Sequence, residues 1–68
     1  MNKFKDVLRG LRKEKSLTQN QLAKNMKVSE DCIHFWEKGR SEPSIEDLIN
    51  LADFFNVTID YLVGRSDD

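Results

Sequence analysis

Side chains that could act as a nucleophile or bind a metal are few in this chain of 68 residues, which contains one cysteine, Cys32, and one histidine, His34. One thiol cannot form a disulfide within the chain, and one Cys with one His cannot complete a zinc site. No nucleophile stands in a known spacing to a base, and no glycine-rich phosphate loop is present. A pocket of about 300 Å³ or more would also compete with the core of so small a domain. The sequence therefore predicts a protein that is not an enzyme, needs no metal or cofactor and has no evident small-molecule site.

The charged residues of the chain are unevenly distributed along its sequence. Eleven Lys and Arg oppose twelve Asp and Glu, for a net charge of −1. Residues 1–40 contain ten of the basic residues and five acidic ones, whereas residues 41–68 contain one and seven. A basic portion of this kind is typical of a surface that faces a polyanion, although an uneven surface composition in a short chain is the alternative. The apolar runs are too short for a membrane span or a signal peptide, which predicts a cytoplasmic protein without membrane contact.

Apolar residues recur at helical spacing in five segments, and no segment alternates with period two. Phe4, Val7, Leu8 and Leu11 share one helical face and predict the first helix, which Gly10 weakens by about 1 kcal/mol relative to alanine. In the fourth helix, the residues predicted to face inward are Ile45, Leu48, Ile49, Ala52 and Phe55. The sequence therefore predicts an all-α protein whose residues 1–68 form a single domain.

Each later helix carries its own boundary signals. Thr18 and Gln21 have the spacing of a capping box at the start of the second helix. Further capping residues are expected at the starts of the third, fourth and fifth helices: Ser29, Ser44 and Thr58. Residues that tolerate a left-handed conformation stand at the ends of these three helices: Gly39, Asn56 and Gly64.

The connection between the second and third helices is very short. Only Lys27 and Val28 separate Met26, at the end of the second helix, from the Ser29 cap. So short a turn makes two helices cross steeply, which is the helix-turn-helix arrangement. Lys27 is expected to adopt a left-handed conformation there, at a cost of about 1 kcal/mol.

Residues 4–64 closely resemble the Cro/CI-type (xenobiotic-response-element) helix-turn-helix domain of bacterial and phage repressors. The motifs that carry the resemblance are LTQ-x-x-LA at 17–23, VS at 28–29 with Ile33, W-E-x-G at 36–39, Pro43-Ser44, and V-x-x-D-Y-L at 57–62. The resemblance implies a compact five-helix, lambda-repressor-like fold, with the helix-turn-helix at about 18–38 and a recognition helix at about 29–38. It also implies a homodimer on a double-stranded DNA operator, with the recognition helix in the major groove.

The same resemblance implies roles for individual residues. Bases would be read by Ser29, Glu30, Asp31, Cys32 and Phe35. The DNA backbone would be contacted by Thr18, Gln19, Lys27, His34, Lys38, Gly39 and Arg40. For Gln19 the alternative is a surface helix former, and for Lys38 and Arg40 it is solvated surface charge. Arg12 and Glu37 would form an ion pair between the first helix and the end of the third, unless they are unrelated surface charges. The dimer interface would consist of Asn56, Val57, Ile59, Leu62 and Val63, with Ile59 the strongest candidate.

Several base-reading positions depart from the family pattern. Glu30 and Asp31 place acid where an anionic groove is expected. They could accept a hydrogen bond from cytosine, stabilise the helix start while pointing sideways, or belong to a domain that recognises a protein. Phe35 could contact a thymine methyl or a protein, or fold back onto Trp36 or the second helix. Cys32 is either a small half-buried side chain or a redox switch whose pKa the helix amino end lowers.

The function predicted from the sequence is sequence-specific, double-stranded DNA binding by a transcriptional regulator. The mode of action is expected to be repression by a dimer that occupies a pseudo-palindromic operator. The alternative is a protein-interaction module on the same fold, an antitoxin or an anti-repressor, with weak DNA binding. Glu30, Asp31 and Phe35 are the residues that favour this alternative.

Overall fold

Five α-helices joined by short turns make up residues 3–65, the part of the chain that the computed structural model describes. The helices are α1 (Phe4–Glu14), α2 (Gln19–Met26), α3 (Glu30–Lys38), α4 (Ile45–Phe55) and α5 (Ile59–Leu62). Within residues 3–65 there is no strand. The longest helices have 11 residues, and none in this range has the length and apolar character to cross a membrane.

The four predicted capping residues all begin helices. The Thr18 hydroxyl accepts a hydrogen bond from the amide of Gln21 at 3.0 Å, and the Gln21 side chain accepts from the amide of Thr18 at 2.9 Å. The other three hydroxyls accept from an amide three residues on, at 3.0–3.1 Å: Ser29 from Cys32, Ser44 from Asp47, and Thr58 from Tyr61. These bonds satisfy amides that a helix start otherwise leaves unpaired, so the helix starts are determined locally.

The predicted left-handed residues also adopt that conformation. Their φ angles are 60° at Lys27, 74° at Gly39, 56° at Asn56 and 84° at Gly64. Ser16 has a φ of 58° as well, a conformation that its sequence context did not indicate. At Lys27, the positive φ turns the chain directly from α2 into the Ser29 cap of α3.

Each of the five helices contributes one completely buried side chain to a single core. These residues, all 0% exposed, are Leu8, Leu22, Ile33, Leu51 and Leu62. Phe4 of α1 and Trp36 of α3 pack edge to face in the same core, with ring centroids 6.4 Å apart. The position of α3 is therefore determined by apolar contacts from several elements together.

The inward-facing stripe predicted for α4 is wrong at two residues. Ile45 is 77% exposed and Ile49 is 44% exposed, whereas Leu51, Ala52 and Phe55 are buried. Residues 48, 51, 52 and 55 share one narrow arc of a helix with 3.6 residues per turn, and 45 and 49 lie at its edge. The neighbouring helices of so small a domain cover only that arc.

Two glycines, one within α1 and one at the end of α3, should respond oppositely to alanine. Gly10 is exposed in mid-helix, and no atom lies within 4 Å of the place where an alanine Cβ would stand, so Gly10→Ala should raise the free energy of unfolding by about 0.5–1 kcal/mol. Gly39 has a φ of +74°, and a Cβ there would lie 3.2 Å from Cδ of Lys5. Gly39→Ala should therefore lower that free energy by about 1 kcal/mol or more. Urea unfolding followed by circular dichroism measures both changes, and equal effects of the two substitutions would contradict this account.

Candidate nucleic-acid interface

Arg12 of α1 and Glu37 of α3 form a two-pronged ion pair. Nε of Arg12 donates to Oε2 of Glu37 at 2.7 Å, and Nη2 donates to Oε1 at 3.0 Å. The Arg12 side chain is 12% exposed and that of Glu37 is 4% exposed. The hydrogen bond to Glu37 raises the pKa of Arg12 above its usual value, with a smaller contribution from the opposite charge. The charges of this pair are therefore largely removed from water and depend on each other.

The same pair reaches into the segment that begins α2. Nη1 of Arg12 donates to the carbonyl oxygen of Leu17 at 2.8 Å, and Nε2 of Gln19 donates to Oε1 of Glu37 at 3.1 Å. One guanidinium and one carboxylate thus connect α1, the entry to α2, and α3. Gln19, for which a phosphate contact was expected, is half-buried and already bonded to Glu37 in this state.

The first two turns of α3 present the expected base-reading residues outward to different extents. Ser29, Glu30 and Asp31 are exposed, and Phe35 is 40% exposed. The Phe35 ring lies beside His34, with centroids 5.9 Å apart. The Trp36 ring packs against Phe4 of α1.

Cys32 differs from the expectation of a reactive thiol. It is half-buried among core-flanking side chains, and burial raises its pKa, with a further increase from the charge of Asp47. The redox-switch interpretation required a lowered pKa, and the direction found is the opposite one because burial disfavours the thiolate. Cys32 is a small, half-buried side chain, as the alternative interpretation had it.

Cationic side chains from two elements lie along one side of α3. The side chain of Lys5 runs alongside Gly39, with Cδ 3.2 Å from where a Cβ would stand. Arg9, His34 and Lys38 line a surface cavity of about 260 Å³, together with Arg12, Gln19 and Glu37. We call the exposed cations Lys5, Arg9, Lys38 and Arg40 the cationic rim. The rim places positive charge beside the carboxyl-terminal half of α3.

The structure does not bring all the expected backbone-contacting residues together. Lys27 lines a different cavity, of about 450 Å³, with residues of α2 and α4 that include Asn50 and Asp53. Conversely, Lys5 and Arg9 were not among the expected contacts. The basic outer side of α1 was visible in the sequence, but helical spacing cannot say which of its cations lie beside α3. Among residues 3–65, no three His, Cys, Asp or Glu side chains are grouped to hold a metal ion.

The segment expected at a dimer interface is only partly available to a partner. Asn56 is exposed, Ile59 is 40% exposed, and Val57 and Val63 are half-buried. Leu62 is 0% exposed, so its assignment to the interface is wrong. Its side chain is the contribution of α5 to the core, and it cannot contact a partner without unfolding that helix.

Comparison with known proteins identifies the family to which this chain is similar. Residues 8–62 match the helix-turn-helix family. The chain is 44% identical over 61 residues to the transcriptional activator BcrR of Enterococcus faecalis, covering 90% of this chain and 30% of BcrR. It is 38% identical over 65 residues to the transcriptional regulator MJ0272 of Methanocaldococcus jannaschii, covering 96% of this chain and 98% of that protein. The solution structure of the DNA-binding domain of the P22 C2 repressor superposes with a TM-score of 0.81 at 32% identity, covering 88% of this chain and 79% of that one.

The chain belongs to the helix-turn-helix family of transcriptional regulators, of the type found in phage repressors. The predicted all-α, five-helix, lambda-repressor-like fold is confirmed. The chain spans about half the length of several curated relatives that it matches, and 30% of BcrR.

Loss of the Glu37 charge should destabilise the fold. Glu37→Gln keeps the shape of the side chain but leaves the Arg12 guanidinium, 12% exposed, without a carboxylate. We expect the free energy of unfolding to fall by about 2 kcal/mol or more. Urea unfolding measures the change, with the exposed Glu14→Gln as a matched control that should shift it by less than about 0.5 kcal/mol.

The double variant Arg12→Met with Glu37→Leu tests whether the unpaired charge is the cause. Because this variant buries no charge, it should regain most of the stability lost in Glu37→Gln. If it is instead less stable than Glu37→Gln, then the shape of the pair or its hydrogen bonds to Leu17 and Gln19, rather than charge pairing, govern this contact.

Proposed function

We propose that this chain is a sequence-specific, double-stranded DNA-binding domain of a cytoplasmic transcriptional regulator, and that it represses by occupying a pseudo-palindromic operator as a homodimer. In this proposal α3 enters the major groove, and its exposed first turns meet base edges. The protein acts without a cofactor and is not an enzyme. Relatives named as transcriptional regulators and as repressors support this proposal.

The observation that carries the proposal is the placement of the cationic rim beside α3, which packs against α1 and α2. The Arg12–Glu37 pair joins α3 to α1, while Lys5, Arg9, Lys38 and Arg40 offer positive charge next to the carboxyl-terminal half of α3. Phosphate contacts of this kind set the register of a protein on the duplex, and base contacts then give the sequence preference. The uneven charge along the chain supports the same orientation, since every residue of the rim belongs to the basic portion, 1–40.

A protein-interaction module with weak DNA binding is the second candidate function. Its support is the exposed tip of α3, where two carboxylates, Glu30 and Asp31, and the 40% exposed Phe35 stand together. Carboxylates at that tip are repelled by a polyanion, whereas an exposed aromatic ring is a common anchor in protein interfaces. The two candidates differ in whether the isolated protein selects any duplex.

Selection from a random-sequence duplex pool at low salt tests the proposal directly. We expect enrichment of a pseudo-palindromic motif whose half-sites lie about one helical turn, roughly 34 Å, apart. Recovery of duplexes without any enriched motif would favour the protein-interaction module and reject sequence-specific regulation.

Arg40→Ala should weaken binding to all sequences alike and leave the selected motif unchanged. The backbone amide of Arg40 donates to the carbonyl oxygen of Phe35 at 2.9 Å, so alanine preserves the turn and removes only the charge. Losing one phosphate contact should reduce the slope of log K against log salt concentration by about 1. Titrations at several salt concentrations measure this slope, and Arg65→Ala, beyond α5, is the matched control that should leave it unchanged. A change in motif instead of slope would show that Arg40 reads a base.

Ile59→Asp should dissociate the proposed homodimer. Ile59 is the first residue of α5 and is 40% exposed, so a carboxylate there is compatible with the folded monomer but not with an apolar interface. We expect the dissociation constant of the dimer to rise about tenfold or more, measured by sedimentation equilibrium.

Ile45→Asp is the matched control for this prediction. Ile45 is also an exposed isoleucine at the first position of a helix, but it stands outside the proposed interface. It should leave association unchanged. Equal dissociation in both variants, or in neither, would place the contact elsewhere.

A further inference from the structure

A hydrogen bond between α2 and α3 involves a residue with no role so far. Nδ2 of Asn20 donates to Oε1 of Glu30 at 3.2 Å. Asn20 is the second residue of α2, Glu30 is the first residue of α3, and both are exposed. The bond therefore crosses the helix-turn-helix at the end of α3 that carries the expected base-reading residues.

The bond bears on which role Glu30 has at the start of α3. The amide of Cys32 already donates to the Ser29 hydroxyl at 3.1 Å, so α3 has its cap without Glu30. The Glu30 carboxylate is directed instead toward α2, a separate rigid element. An exposed glutamate normally samples many rotamers, and a bond to a neighbouring helix restricts that sampling.

With Oε1 bonded to Asn20, the Glu30 carboxylate can still act as an oriented hydrogen-bond acceptor. Oε1 accepts from Asn20, while a carboxylate has acceptor sites on both oxygens, so Oε2 can still accept. In the major groove, cytosine presents an amino donor without an adjacent ring acceptor. Adenine presents its amino donor beside the N7 acceptor, and thymine and guanine present acceptors, so each of these three bases offers an acceptor that repels a carboxylate. The amide donor of Asn20 also offsets part of the negative charge that phosphates would repel.

We propose that Asn20 is a positioning residue that holds Glu30 for reading a cytosine in each half-site of the operator. This inference rests on the proposed function, DNA binding through α3. Of the three roles considered for Glu30, it selects the hydrogen bond to cytosine. It also adds Asn20 of α2 to the residues that determine sequence preference. Asn20 itself touches no base in this proposal.

The test compares base preferences of variants by selection from a random duplex pool, followed by titration of single-base variants of the selected site. The wild-type protein should prefer cytosine at one position of each half-site. Asn20→Ala should lower discrimination for that cytosine by about fivefold to tenfold while preferences at the other positions stay unchanged. Glu30→Gln should shift the preference at the same position toward adenine, the base that a glutamine amide matches.

Two controls separate positioning from general effects. Asn25→Ala is the same substitution on the same helix, at an exposed residue whose side chain donates to the carbonyl oxygen of Gln21 instead of to α3, and it should leave every preference unchanged. In a Glu30→Ala background, Asn20→Ala should have no further effect at the cytosine position, because the two residues act through one contact.

The outcomes distinguish the inference from the function on which it rests. No enriched motif with the wild-type protein overturns the proposed function and this inference with it. A wild-type motif whose cytosine preference survives Asn20→Ala, or an Asn20→Ala variant that weakens all sequences alike, overturns the inference alone.

Discussion

The nearly buried contact between Arg12 and Glu37 is the constraint on which the rest of the structure depends. Two charges that are 12% and 4% exposed are stable there only because two hydrogen bonds join them and further bonds reach Leu17 and Gln19. Such a pair contributes little net stability over an apolar contact, but it tolerates only a narrow range of geometries. It joins α1 to α3 and to the entry of α2, alongside the apolar contacts that position α3.

The position of α3 then decides what its exposed end can meet. The cationic rim lies along one side of the helix, whereas the tip carries Glu30 and Asp31. The carboxylates at the tip penalise every base without a matching donor, whereas the cations of the rim attract any polyanion. The hydrogen bond from Asn20 joins the carboxylate of Glu30 to α2.

Local signals predicted most of the fold. The hydroxyls of Thr18, Ser29, Ser44 and Thr58 cap helices where they were expected to, because a cap needs only an amide three residues away. Predictions that needed knowledge of neighbouring elements were less accurate. Ile45 and Ile49 point outward, and Leu62 is in the core, because burial depends on which helices cover which arc. The pKa of Cys32 is raised by burial and by the charge of Asp47, a residue of α4 that is distant in sequence.

The sequence by itself therefore determined the helix boundaries, the left-handed turn at Lys27 and the family, all of which rest on interactions within a few residues or on the order of motifs. Only the tertiary structure decided that Lys5 and Arg9 flank α3 and that Asn20 holds Glu30. Helical spacing specifies which side of a helix a residue occupies, but not which helix lies opposite. That depends on how the helices of residues 3–65 bury one core together.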